Sequence, residues 1–265
     1  MRLDIELVNR DIFGSRQKAK EAIRGGRVKV NGKVCTKPAL DVDENTQIET
    51  ESLDNDFVGR GGHKLFKMLD KHSIDLCGLT CMDIGASTGG FTQCMLRFGA
   101  EHVYAVDVGT GQLAPELCAD SRVSNMEKTD IRNVTAEDLK KQPDLISVDV
   151  SFISLKLILP KMHELLKNGG MAVCLIKPQF EAGRQKVGKK GIVKDPKVHI
   201  SVLEDITAFA GSVGFTVEDV DFSPIQGGSG NIEYLMLIKK NDTLITNEFG
   251  FKMIVGQAFA ASKNK

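Results

Sequence analysis

From Thr80 onward the chain alternates short, almost wholly apolar runs with stretches of helical spacing. Four runs read as parallel strands buried on both faces: Cys81-Met82-Asp83-Ile84-Gly85, Val103-Tyr104-Ala105-Val106-Asp107, Leu145-Ile146-Ser147-Val148-Asp149 and Met171-Ala172-Val173-Cys174-Leu175-Ile176-Lys177. Between and after them, Leu155 to Lys167 and Val198 to Ser212 carry apolar residues at helical intervals. Two further strands, around 216–222 and 233–239, close an open sheet. The expected fold is α/β, a Rossmann-like doubly wound sheet.

The N-terminal pattern is different. Ser15-Arg16-Gln17-Lys18-Ala19-Lys20-Glu21-Ala22-Ile23-Arg24 reads as a helix capped by Ser15, with Ala19, Ala22 and Ile23 inward and a basic outer face. Gly25-Gly26 stops it, and Val28-Lys29-Val30, Asn31-Gly32 and Lys33-Val34 read as a strand, a tight turn and a second strand. This is a small α+β domain. The acidic run that ends at Asp56 has no periodic apolar face, so the expected boundaries are 1–52 for the small domain, 53–58 for a short linker and 59–265 for the sheet domain.

A chain of 265 residues has room for both domains. The five histidines and the cysteines at 35, 77, 81, 94, 118 and 174 show no metal-ligand spacing and no disulfide framework, so no metal is expected. No N-terminal leader and no apolar run of about 18 residues is seen, which points to a soluble, cytoplasmic protein. The net charge is zero, yet it is segregated. Residues 1–37 hold ten Lys/Arg against four Asp/Glu, 41–56 hold seven acidic residues and no basic one, and 177–197 hold seven Lys/Arg against two acidic residues. Such basic stretches suit phosphate.

The loop after the first strand is Asp83-Ile84-Gly85-Ala86-Ser87-Thr88-Gly89-Gly90-Phe91-Thr92. Its glycines allow close approach of a ligand, but Ser87 and the Gly85 to Gly89-Gly90 spacing depart from the dinucleotide G-x-G-x-x-G, which weakens a nicotinamide reading. Asp107, about 20 residues on at the end of the second strand, is placed to accept from ribose hydroxyls. With Asp83 and the loop (Gly85, Ser87, Gly89, Gly90, Phe91), it favours S-adenosylmethionine as cofactor. Asp130 is a candidate for the adenine amino group, with a turn-forming role as its alternative.

Ser15 to Lys20 followed by Gly26-Arg27-Val28-Lys29-Val30-Asn31-Gly32 resembles the RNA-binding domain first described in ribosomal protein S-four, over roughly residues 1–50. That resemblance implies phosphate contacts at Arg16, Lys18, Lys20, Arg24, Arg27 and Lys29. Five further motifs, in order, are Gly59-Arg60-Gly61-Gly62-His63-Lys64-Leu65, the Asp83 loop, Asp149-Val150-Ser151-Phe152-Ile153-Ser154-Leu155, Lys177-Pro178-Gln179-Phe180-Glu181 and Gly230-Asn231-Ile232-Glu233-Tyr234. With the N-terminal domain they resemble the TlyA or hemolysin-A-like proteins, which fuse the S-four domain to an FtsJ-type (RrmJ-like) methyltransferase domain.

The resemblance implies ribose 2′-O-methylation of ribosomal RNA, at a cytidine in large-subunit RNA, with a small-subunit site as a second candidate. It implies a tetrad of Lys64, Asp149, Lys177 and Glu233. Chemically the tetrad makes sense. A free lysine is mostly protonated at neutral pH, and burial and a neighbouring cation both favour its neutral form, so Lys177 is expected as general base with Lys64 beside it. Asp149 and Glu233 are expected to orient the lysines and the ribose. The glycine-rich stretch from Phe180 to Lys197, with Arg184, Lys189 and Lys190, is expected to close over the RNA and to be mobile without it.

Two other classes compete. Membrane lysis rests on apolar residues of the tail, Glu248 to Ala261, which a helix packed on the sheet explains more simply. A non-catalytic RNA-binding or ribosome-assembly factor is disfavoured by the complete tetrad. Replacing Arg16 and Lys20 by glutamate is expected to weaken RNA binding and to flatten the slope of log affinity against log salt by about 0.7–0.9 for each phosphate no longer neutralised; titration at several salt concentrations measures it, and an unchanged slope rejects these two residues as phosphate ligands.

Overall fold

The Asn31-Gly32 pair does what its sequence suggests, with both residues in the left-handed region (φ 51° and 74°), so that β1 (Val28–Val30) turns directly into β2 (Lys33–Val34). The computed structural model describes residues 1–10, 12–13, 16–43, 45–50, 57–241 and 247–263, and it divides into the units Met1–Asp56 and Phe57–Lys265. Ser15, the side chain of Lys18, residues 51–52 and linker residues 53–56 lie outside the described residues.

In the first unit, α1 (Leu3–Asn9) and α2 (Arg16–Arg24) pack on a three-stranded antiparallel sheet of order β2-β1-β3, with β3 at Ile48–Thr50. Leu3, Leu7, Phe13, Ala19, Ala22, Ile23, Val28 and Val42 form the core. Sequence reading found neither α1 nor β3. The helix has seven residues, too few to hold together without tertiary contacts, and β3 lies in the acidic stretch with Ile48 as its one apolar residue. Pairing with β1 supplies what local pattern does not.

In the second unit, α3 (Gly62–Lys71) precedes β4 (Thr80–Ile84), α4 (Gly90–Arg97), β5 (His102–Val106), α5 (Pro115–Cys118) and β6 (Val123–Met126). Then follow β7 (Leu145–Val148), α6 (Leu159–Leu165), β8 (Met171–Ile176), α7 (Pro178–Glu181), α8 (Pro196–Val213), β9 (Phe215–Phe222), β10 (Tyr234–Lys240) and α9 (Phe251–Lys263). The seven strands are ordered β6-β5-β4-β7-β8-β10-β9, with β4 to β8 parallel and β10 antiparallel to both neighbours.

The strands bury both faces. Cys81, Val103, Leu145, Val173 and Leu235 face one core with residues of α3 and α4, while Met82, Tyr104, Ile146, Cys174 and Met236 face the other with residues of α6, α8 and α9. The tail is thus a core element, through Ile254, Val255 and Ala258. The helix expected over 155–167 splits into a 3₁₀ turn at Leu155–Leu157 and α6, because Pro160 is tolerated only in a helix's first turn. Strand β6 escaped the sequence reading, since an edge strand with Ser124 and Asn125 at its centre has no apolar run.

Register sets the functional edge. Ile84 pairs with both Val106 and Val148, so Gly85, Asp107 and Asp149 leave the sheet at one level. Tyr234 pairs antiparallel with Ile176, which brings Glu233 beside Lys177 at that same edge.

The first unit has a buried charge of its own. Asp4 on α1 has no exposed surface, and its carboxylate accepts from Arg2 Nε at 2.9 Å and Arg16 at 3.1 Å, with Lys20 Nζ at 3.8 Å. The Arg2 hydrogen bond, helped by Arg16 and opposed by burial, holds its pKa down at about 2, against an ordinary 3.8. Two of the expected phosphate contacts, Arg16 and Lys20, are therefore oriented by an internal carboxylate. Because the folded value is the lower one, this stabilisation is complete above pH 3.8 and is lost as pH falls through about 2. Asp4→Asn is expected to destabilise this unit by about 1.5–3 kcal/mol at neutral pH and to remove that acid-dependent part, as read by denaturant melts at pH 7 and pH 3.

Candidate active site

At the sheet edge the four tetrad side chains form one alternating row of charge. Lys177, directly after β8, places Nζ 2.6 Å from Asp149 Oδ1 and donates to Ser151 Oγ at 2.9 Å. Asp149, directly after β7, holds Lys64 Nζ with its other oxygen at 3.4 Å. Lys64, in the first turn of α3, donates to Glu233 Oε2 at 2.8 Å, and Glu233 directly precedes β10. Lys64 and Lys177 are 7% exposed and Glu233 3%, so these charges are paired where water does not screen them. The sequence reading set Lys64 beside Lys177 with Asp149 and Glu233 orienting both; in the structure the Asp149 carboxylate lies between the two amines.

Two cavities meet here. One, of about 510 Å³, is lined by all four tetrad residues with Gly59, Gly61, Gln179, Phe180, Gly191 and Asn231 among others. The second, of about 790 Å³, is lined by Val106, Asp107, Val108, Asp130, Ile131 and Ile153 among others. Gly85, Ser87, Asp149, Ser151 and Phe152 line both, so they form the shared wall.

The expected cofactor residues separate on this map. Gly85 and Ser87 line both cavities, Asp107 and Asp130 only the larger, and Gly90 and Phe91 only the smaller. Asp83 and Gly89 line neither, and the structure gives them a loop-shaping place. The Asp83 carboxylate is fully buried and accepts from Thr92 N (2.8 Å), Thr92 Oγ1 (2.7 Å) and Ser147 Oγ (3.1 Å), tying the start of α4 to β4 and β7. Burial pushes its pKa up to about 7, against the pull of the Thr92 and Ser147 hydrogen bonds. Gly89 is left-handed (φ 93°), and a Cβ there would strike the Leu117 side chain. Gly85 (φ 83°) passes so close to Asp149 that a Cβ would lie 2.6 Å from its carbonyl oxygen. Asp107 accepts from Ser87 N at 2.8 Å and Gly109 N at 2.7 Å, which leaves lone pairs on both oxygens. Asp130 caps the 3₁₀ turn after it and is bound by Arg132 at 2.6 Å, the turn-forming alternative.

Arg184, Lys189 and Lys190 are exposed and pair with no carboxylate among the described residues. In the first unit Arg16 and Arg24 are exposed, and Lys20, Arg27 and Lys29 are half-buried. Two functional candidates were missed. Ser151 holds the Lys177 amine. Phe152 is 90% exposed in a left-handed conformation (φ 65°) on the shared wall, its ring centroid 5.0 Å from that of Phe180. An exposed aromatic held in a strained backbone was not legible from its motif. Among the described residues, no group of three or more His, Cys, Asp or Glu is arranged to hold a metal, and no helix is long and apolar enough to cross a membrane.

A seven-stranded sheet with this switch in strand direction, a glycine loop after β4 and a ligand cavity at the strand ends defines a Rossmann-like methyltransferase fold. The chain belongs to the FtsJ-like methyltransferase family, whose model matches residues 57–240, and carries an S4 domain over residues 1–48. It is 39% identical to the 16S/23S rRNA (cytidine-2'-O)-methyltransferase TlyA of Mycobacterium tuberculosis, over 98% of this chain and 97% of that one. It is 40% identical to hemolysin A of Brachyspira hyodysenteriae, over 89% of this chain and 98% of the other. A solved structure of a hemolysin-named protein from Streptococcus thermophilus superposes with a TM-score of 0.77 at 43% identity, covering 100% of this chain and 97% of that one.

Asp83 generates a test of the loop. Since its folded pKa, about 7, lies above the ordinary 3.8, its contribution to stability is largest below pH 3.8 and declines as pH rises to about 7. Asp83→Ala, which leaves the Thr92 donors unpaired, is expected to cost about 1–3 kcal/mol in denaturant melts, whereas Asp83→Asn retains an acceptor and loses less.

Proposed function

We propose that this protein is an S-adenosylmethionine-dependent 2′-O-ribose methyltransferase of ribosomal RNA, working in the cytoplasm on a cytidine of large-subunit RNA, with small-subunit RNA as a second candidate substrate. The carrying observation is the row Lys177, Asp149, Lys64, Glu233 at the wall between the two cavities. The name of the Mycobacterium tuberculosis relative supports the substrate, and the S4 domain with its exposed Arg16 and Arg24 supports an RNA partner.

The larger cavity fits the donor. Its volume is that of a small-ligand site, its walls include Val106, Val108, Ile131 and Ile153 for an adenine plane, and Asp107 has acceptor capacity for ribose hydroxyls. When bound, S-adenosylmethionine supplies an electrophilic methyl carbon on a sulfonium centre. The smaller cavity then takes the target ribose, with Phe152 and Phe180 at its mouth for the base to stack on. In its neutral form the Lys177 amine accepts the 2′-hydroxyl proton as that oxygen becomes the nucleophile. The ammonium so formed is stabilised by Asp149 at 2.6 Å and steadied by Ser151. Lys64, locked between Asp149 and Glu233, keeps the Asp149 carboxylate aimed and balances its charge. Lys189, Lys190 and Arg184 are placed in sequence after this site to meet phosphates.

The alternatives weigh less. Membrane lysis has only the tail to rest on, and α9 buries Ile254, Val255 and Ala258 in the core, with Met253 exposed. A non-catalytic factor would have no use for two buried lysines held by carboxylates.

Labelled methyl transfer from S-adenosylmethionine to ribosomal subunits lacking the modification is expected to place label in a ribose, recognised by an alkali-resistant linkage. Lys177→Ala is expected to slow this by about 10²–10⁴-fold while donor binding persists. Donor binding without any transfer by the unaltered protein would favour the RNA-binding factor instead.

A further inference from the structure

The basic stretch between α7 and α8 is rich in glycine, and its sequence suggests a free lid. One residue in it behaves otherwise. Val193 is 3% exposed; its N–H donates to Asn231 Oδ1 at 3.3 Å and its carbonyl accepts from His199 Nε2 at 2.9 Å. Asn231 Nδ2 in turn donates to the Gly191 carbonyl at 2.8 Å, and Gly188 N–H closes a turn onto the Ile192 carbonyl at 3.1 Å. The loop is therefore gripped at its C-terminal half from two sides.

The grip leads back to the tetrad. A carbonyl can only accept, so His199 Nε2 carries a proton, and with the ring neutral Nδ1 accepts from the Tyr234 hydroxyl at 2.8 Å. His199 and Tyr234 have no exposed surface, and burial lowers the histidine pKa, in keeping with a neutral ring. Asn231 and Tyr234 flank Glu233, which holds Lys64, and Tyr234 pairs with Ile176 beside Lys177. Gly191 and Asn231 also line the smaller cavity. One short segment, Asn231 to Tyr234, thus supplies a tetrad carboxylate and fixes the loop that carries Lys189 and Lys190.

We infer that Asn231 and His199 are positioning residues: through Val193 and Gly191 they hold the basic loop in register with the Glu233 segment, so that phosphate contacts and the reacting ribose are set by one rigid piece. The inference rests on the methyltransferase reading for its consequence in catalysis, but not for the clamp itself.

Limited trypsin digestion of the native full chain separates the two. In Asn231→Ala and His199→Phe, cleavage after Lys189, Lys190 and Lys194 is expected to accelerate by about five-fold for each hydrogen bond removed, because cleavage follows the population of the open loop. For His199→Phe, whose residue lines neither cavity, KM for ribosomal subunits should rise while kcat and the affinity for S-adenosylhomocysteine stay unchanged. Tyr234→Phe removes one hydroxyl and should give a smaller acceleration, which keeps the test open if a larger change prevents folding. Cleavage equal to that of the unaltered protein in the folded variants overturns the clamp. Altered cleavage with no rise in KM overturns the positioning role. Absence of methyl transfer by the unaltered protein defeats the functional reading, and the digestion result still decides the clamp.

Discussion

The Asp149 carboxylate lies between two lysine amines, one on each oxygen, at 2.6 Å from Lys177 and 3.4 Å from Lys64. A charged lysine in a nearly dry site needs such a partner, and for Lys177 the Asp149 carboxylate is the one that its amine meets. Glu233 completes the set on the far side of Lys64, so two cations and two anions compensate each other. The arrangement demands that four chain segments far apart in sequence deliver their side chains to within a few ångströms. Strand pairing does this for three of them, since β7 and β8 run side by side and the antiparallel β10 starts where β8 finishes, and α3 brings Lys64.

The same edge builds the cofactor side. Gly85 can pass against the Asp149 carbonyl because it has no side chain, which lets the glycine loop and the Asp149 turn form one wall shared by both cavities. Asp83 stands behind that wall. Its buried carboxylate gathers donors from α4 and β7 and fixes the loop from within.

Each unit of the chain uses a carboxylate to gather cations. Asp4 collects Arg2, Arg16 and Lys20 on the first unit as Asp149 collects Lys64 and Lys177 on the second. In the first the consequence is a basic helix face whose long side chains are held in place by a buried carboxylate. In the second it is an amine held at a fixed point. Zero net charge is compatible with both, because the 41–56 stretch holds seven acidic residues and no basic one, which offsets the basic stretches in the sum.

Much of this was legible in the amino-acid sequence. Buried parallel strands announce themselves by apolar runs, and Asp107 stood out as the polar residue that ends one of them; Asp149 and Lys177 end two others, and the family resemblance singled them out. The Asn31-Gly32 turn and the α8 helix follow from local chemistry in the same way. Elements held by pairing or packing, such as α1, β3 and β6, carry too little pattern of their own to be seen. What only the tertiary structure decided is which polar atoms face each other: that Asp149 stands between the lysines, that Asp83 points inward to Thr92 and Ser147, and that Asn231 and His199 grip Val193. Residue type and periodicity determine which groups must leave water and on which face. Partner choice among buried polar groups depends on distances between segments that no local preference encodes.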